Sequence, residues 1–257
     1  MELQLKLPGA GGTIDAGRAT EALADVLWLL RQFEAAQSPE RSSAAPTRWV
    51  FRALSVSSLN AAFEPVYDTE PVQMAALTLV RGLALVEEQP VLPEGWNEPV
   101  ALRARRVVRR NATPAGPVQL RVIIGGETAA TADLGQEAAA NLKVAVRPTS
   151  QSIGSATGVL GSVSVHRRPA AGLWPDRGGR LTVVFDTDQL DQVKAGLGKR
   201  VTVSGRFDRN SAGQAIRLRM ARIIPLPAPA PLTGLWGLDR GMTDGQTPEE
   251  HLRRIRG

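Results

Sequence analysis

The chain has 257 residues, a formal net charge of +6, two histidines and no cysteine. The lack of cysteine excludes disulfides, thiolate zinc sites and cysteine nucleophiles, and two histidines are too few for a histidine-rich metal centre. We expect neither a cofactor nor a metal site. No set of nucleophile, base and orienting group stands out either, so we interpret the chain as a non-enzymatic binding protein.

The first part of the chain, residues 1–111, is predicted to form a small α+β unit. Alternating polar and apolar side chains indicate strands, and apolar residues three or four positions apart indicate amphipathic helices. These patterns predict, in chain order, a strand over 2–7, a helix over 19–37, a hairpin over 49–67 and helices over 72–88 and 99–110.

The second part, residues 112–226, is predicted to be a small β-rich barrel, which makes the whole chain α+β. The segment 130–142 is ambiguous between a helix and a strand followed by a helix. The segment 198–223 resembles the last hairpin of an OB-type barrel through its glycine and valine spacing. The other predicted elements are strands over 118–124, 158–166, 181–185, 200–207 and 215–224 and a helix over 188–197.

The last part, residues 227–257, is predicted to be a polyproline linker followed by a tail. The prolines favour an extended spacer. Thr247, Pro248 and Glu250 have the spacing of a helix cap, a first-turn proline and a capping-box acid. The resulting helix is too short to be stable alone, so we expect the tail to be disordered without a partner.

Two clusters of arginine make nucleic-acid binding the alternative function. Each cluster falls on one face of its predicted element, and such clusters bind phosphates in many nucleic-acid-binding proteins. A solvated helix face gives the same pattern. Near the barrel cluster only Phe207 offers an aromatic ring, which makes a poor stacking platform. The members are Arg103, Arg106 and Arg110 on the helix and Arg217 and Arg219 on the strand.

The tail resembles the C-terminal tail of antitoxins that neutralise PIN-domain ribonucleases in bacterial toxin–antitoxin pairs. The shared pattern is a leucine-rich stretch with glycines, then Thr-x-Glu-Glu, then a helix ending in Arg-x-x-Arg-Gly. The resemblance implies that the tail wraps the toxin and inserts arginines among its magnesium-binding carboxylates. It assigns partner binding to the apolar Leu235, Trp236, Leu238, Leu252 and Ile255 and to the cationic Arg253, Arg254 and Arg256.

The sequence gives an expected location as well as an expected partner. Residues 1–7 do not have the pattern of a secretory signal, and no stretch approaches the roughly 20 apolar residues of a membrane helix. We therefore expect a cytoplasmic antitoxin without membrane contact. Its expected partner is an acidic protein, a PIN-domain ribonuclease, and nucleic acid is the alternative.

Overall fold

The computed structural model describes residues 1–9, 13–37, 47–55, 58–165, 168–176, 179–227 and 253–254. The chain divides into one unit from Met1 to Pro225 and a second unit from Leu226 to Gly257. The first unit is rich in both helices and strands, and its strands form two separate sheets. The predicted α+β class is confirmed.

The first sheet has five antiparallel strands. They are β1 (Glu2–Leu7), β2 (Trp49–Ser55), β3 (Leu59–Pro65), β4 (Val118–Ile124) and β5 (Glu127–Leu134). Their order across the sheet is β2-β3-β1-β4-β5, so the first strand of the chain is the middle one. Alternation along β1 buries Leu3, Leu5 and Leu7, as its period of two predicts.

Four helices share one hydrophobic core with the apolar face of this sheet. They are α1 (Ala16–Gln37), α2 (Glu70–Glu88), α3 (Glu98–Asn111) and α4 (Gln136–Ala145). Helix α2 packs against β4, β5, α1 and α4, and helix α3 packs against α1 and α4. The opposite face of the sheet is more polar and exposes Lys6 and Arg121.

The second sheet closes into a five-stranded barrel. Its members are β6 (Ser150–Ser164), β7 (Ala170–Pro175), β8 (Leu181–Val184), β9 (Arg200–Arg209) and β10 (Ala215–Pro225), with α5 (Leu190–Gly196) between β8 and β9. The order around the barrel is β10-β8-β7-β6-β9, in which only the pairing of β10 with β8 is parallel. This strand order, with a helix between the third and fourth strands, is OB-like, as the sequence predicted.

The change from one sheet to the other does not coincide with the predicted domain boundary at residue 111. Strands β4 and β5 extend the first sheet, so the barrel begins only after α4. The sequence left β5 ambiguous because its alanines suit a helix as well as a strand. Gly125 and Gly126, with φ of 62° and 87°, form the turn that folds β5 back onto β4. Residues without a Cβ adopt this conformation at little cost.

Short polar contacts hold the barrel against the helical layer. The buried side chain of Asn210 donates a hydrogen bond to the carbonyl of Ala145 at 2.9 Å. The amide of Gln214 accepts from the N–H of Leu92 at 2.9 Å and donates to its carbonyl at 2.7 Å. Ile216 of β10 is buried in the core of the first sheet. The barrel is therefore fixed beside the loop that joins α2 to α3.

Candidate functional site

The predicted basic helix is α3, one residue longer at each end than expected. The side-chain oxygen of Asn97 caps it by accepting a hydrogen bond from the N–H of Val100 at 3.0 Å. Pro99 lies in the first turn, where its missing N–H has no intrahelical partner to lose. One side of the helix is buried in the core, so its arginines project from the other sides.

Three of these arginines form an ion-paired contact between α3 and α1, which we call the arginine seam. Its centre is Asp25 of α1, only 6% exposed. Arg103 Nη1 lies 2.7 Å from Asp25 Oδ1, and Arg106 Nε lies 2.8 Å from Asp25 Oδ2. Arg110 pairs with Glu21, one turn before Asp25. The structure thus directs all three predicted phosphate-binding arginines of α3 toward acids of α1.

The arginines of β10 are also paired with acids. Asp208, 1% exposed, lies 3.2 Å from Arg219 Nε and 3.5 Å from Arg217 Nε. Arg217 Nη2 also lies 2.9 Å from Glu98 Oε1, which links the barrel to the start of α3. Burial raises the pKa of Glu98, although Arg217 opposes this effect. We call these four residues the Asp208 cluster.

The residues predicted to bind a protein partner lie in the second unit. Arg253 and Arg254 are described, and both are helical and exposed. The other six lie outside the described residues: Leu235, Trp236, Leu238, Leu252, Ile255 and Arg256. The residues of the predicted cap, Thr247, Pro248 and Glu250, also lie outside the described residues.

The structure adds a cleft that the sequence analysis did not find. It has a volume of about 670 Å³ and opens between α2 and the barrel, and we call it the α2–barrel cleft. A neighbouring cavity of about 560 Å³ also has Glu94 and Arg180 in its wall. The wall of the α2–barrel cleft includes three charged side chains, Arg81, Glu94 and Arg180, and three large apolar ones, Met74, Val159 and Trp174.

Arg180 lies across the outer face of the barrel. Its Nη2 donates a hydrogen bond to Ser162 Oγ at 2.8 Å, and its guanidinium carbon lies 4.9 Å from the ring centre of Trp174. Gly172 provides the space, because a Cβ at that position would clash with the guanidinium. The Nε of Arg180 is buried and has no acceptor among the described residues. Burial also lowers the pKa of the Arg180 guanidinium.

Sequence reasoning had little signal with which to find this cleft. Gly178 and Gly179 precede Arg180, but they do not stand between a strand and a helix with a following lysine, as a phosphate loop requires. Arg81 and Arg180 are far apart in the chain, and only the packing of the barrel beside α2 brings them to one cleft.

No protein-family model and no curated protein matches this chain. Within the described ranges, no group of three or more histidines, aspartates or glutamates has the arrangement of a metal site. No helix in the part of the chain that the structure describes is long and apolar enough to span a membrane.

Proposed function

We propose that the chain is a binding protein whose C-terminal tail neutralises an acidic enzyme, a PIN-type ribonuclease, as the antitoxin of a toxin–antitoxin pair. The observation that carries the proposal is the exposure of Arg253 in a unit distinct from the body. An exposed guanidinium suits a partner with clustered carboxylates. The resemblance of the tail to antitoxin tails supports the same conclusion.

The proposed mechanism is electrostatic. A ribonuclease of this type holds magnesium with a cluster of carboxylates, and an inserted guanidinium supplies positive charge to the same oxygens. Arginine pairs with a carboxylate through two parallel, charge-assisted hydrogen bonds, which are stronger than hydrogen bonds between neutral groups. Apolar residues of the tail, such as Trp236 and Leu252, then anchor it in a groove of the partner.

The ion pairs of the body favour the tail over the body as the partner-binding part. The arginine seam and the Asp208 cluster match their arginines with acids from within the unit. Their charge is therefore largely balanced, and less of it is available to attract phosphates than the sequence suggests. For this reason we prefer the antitoxin function to the nucleic-acid alternative.

The test compares the full chain with a chain that ends at Pro231. Each is co-expressed with the proteins encoded by the adjacent genes, and complex formation and magnesium-dependent ribonuclease activity are measured. We expect the full chain to bind and inhibit the ribonuclease, and the shortened chain to do neither. A shortened chain that still binds and silences the enzyme would show that the body is the inhibitor.

Single substitutions show which residues of the tail are needed for binding and inhibition of the ribonuclease. We expect Arg253→Ala, Arg254→Ala or Arg256→Ala to weaken the complex by about 2–5 kcal/mol where the arginine meets buried carboxylates, because these are left unpaired. Trp236→Ala removes apolar contact and weakens binding without changing the charge. The matched control is Arg222→Ala, an exposed arginine of β10, which is expected to leave inhibition unchanged.

A further inference from the structure

The α2–barrel cleft carries positive charge that its own wall does not neutralise. Arg81 is exposed, and among the described residues it forms no ion pair. Arg180 likewise has no carboxylate partner in the described part of the chain. Glu94 is the single acid in the described wall, and it lies beyond ion-pair distance from both arginines. With two arginines and one acid, the described wall of the cleft has a net positive charge.

The position of Arg180 makes this unbalanced charge costly. Its guanidinium is partly buried, its Nε has no acceptor, and the neighbouring Trp174 also buries its indole N–H without an acceptor within the described ranges. A buried charge or N–H group without a partner destabilises the folded chain. A bound anion would supply the missing negative charge.

The two side chains are also held in place before any ligand arrives. The ring of Trp174 lies against Gly161, where a Cβ would stand 2.6 Å from the ring. The guanidinium of Arg180 lies over Gly172 and is tied to Ser162. Side chains that are already ordered lose less conformational entropy when a ligand binds.

The rest of the wall indicates what else the ligand carries. Met74 and Val159 are each about two-fifths exposed, although both are apolar, and both face this cleft. The volume of about 670 Å³ lies within the usual range for small-molecule sites. We infer that the α2–barrel cleft binds a small organic anion with an apolar body and one carboxylate or phosphate group. The residues of this site all belong to the first unit, and the inference does not depend on the proposed antitoxin function.

Titration calorimetry on the full chain tests the site with four matched probes. 2-Naphthoate and 2-naphthyl phosphate carry both the apolar body and the charge. 2-Naphthylmethanol carries only the apolar body, and inorganic phosphate carries only the charge. We expect at least one naphthyl anion to bind about tenfold more tightly than either incomplete probe, since a charged hydrogen bond and an apolar contact both contribute. The tighter of the two anions identifies the charged group. Failure of both anions to bind at millimolar concentration would overturn the inference.

Substitutions test whether the anion binds in the α2–barrel cleft. Arg180→Gln keeps a polar side chain but removes the charge, and is expected to weaken the preferred anion about tenfold or more. Gly172→Ala keeps the charge but displaces the guanidinium, so it is expected to act in the same direction. Arg222→Gln, which removes an exposed arginine of the same barrel outside the cleft, is expected to change affinity less than about twofold. Unchanged binding by a folded Arg180→Gln variant would overturn the site.

Discussion

Arg106 of the arginine seam and Arg180 of the α2–barrel cleft are both partly buried arginines of one compact unit, but only Arg106 has a carboxylate partner. The acid that faces Arg106 is Asp25 from another helix, while the groups that face Arg180 are a hydroxyl, an indole ring and a glycine. The arginines predicted from the dense basic cluster are thus paired with acids, three arginines with Asp25 and Glu21. An arginine without an acid partner can instead be isolated in the chain, as Arg180 is, so clustering along the chain is a poor guide to unpaired positive charge.

The largest effect on stability is expected in the Asp208 cluster. Asp208→Asn keeps the shape of the side chain but removes the charge that faces Arg217 and Arg219. We expect a loss of about 3 kcal/mol in the free energy of unfolding, because two guanidinium groups lose a buried acid. Arg219 is 45% exposed, and water screens part of this loss. Urea unfolding measures the change, and a loss below about 1 kcal/mol would mean that the cluster behaves as a surface ion pair.

A smaller loss is expected in the arginine seam. Asp25→Asn is expected to lower the free energy of unfolding by about 2 kcal/mol, since Arg103 and Arg106 lose their shared acid but keep contact with water. The matched control is Glu21→Gln, which removes an exposed pair and is expected to cost less than about 1 kcal/mol.

The same Asp25→Asn variant also tests whether Asp25 keeps the arginines of the seam from binding phosphate. If Asp25 suppresses phosphate binding, the variant retains single-stranded nucleic acid at low salt better than the natural chain does, and the gain disappears as salt rises. Equal retention by both proteins would mean that Asp25 is not what keeps these arginines from phosphate.

The pH dependence of stability is expected to depend on Glu98. Burial raises its pKa, so the folded chain holds the Glu98 proton more tightly than the unfolded chain does. Its contribution to stability is therefore full at acidic pH and is lost as pH rises from the usual glutamate pKa, about 4.3, through the raised value. Glu98→Gln cannot ionise and should lack this decline. Urea midpoints between mildly acidic and neutral pH measure it, and identical profiles for the two proteins would contradict the expectation.

The smallest effect on stability is expected in the cleft. Arg180→Leu removes a hydrogen bond to Ser162 and the contact with Trp174, but it also removes a desolvated charge without an acid partner. We expect the two effects to offset each other, so that the free energy of unfolding changes by less than about 0.5 kcal/mol. Thermal unfolding of the ligand-free chain measures the change. A loss of unfolding free energy as large as that of Asp25→Asn would show that the neutral partners of Arg180 stabilise its guanidinium as well as an acid does.

Local patterns predicted most elements, while partners distant in the chain could not be predicted. Helix α1 and strand β4 follow from periodicity, because each buries one regular face of its own residues. Strand β5 was ambiguous, since its burial depends on pairing with β4. The arginines of α3 were visible in the sequence, but Asp25 lies 78 residues from Arg103, and spacing alone gives no sign of that contact. The α2–barrel cleft depends on the packing of the barrel beside α2, which no local pattern encodes.

The central position of β1 affects the order in which the chain can fold during synthesis. Strand β1 is made first, and Leu5 then pairs with Ala61 on one side and with Leu120 on the other. A nascent chain that has emerged only as far as β3 can therefore complete just one edge of β1. The other edge stays unpaired until the ribosome has extended the chain through β4. Long-range pairing of this kind slows folding and prolongs the exposure of an apolar strand edge to other chains.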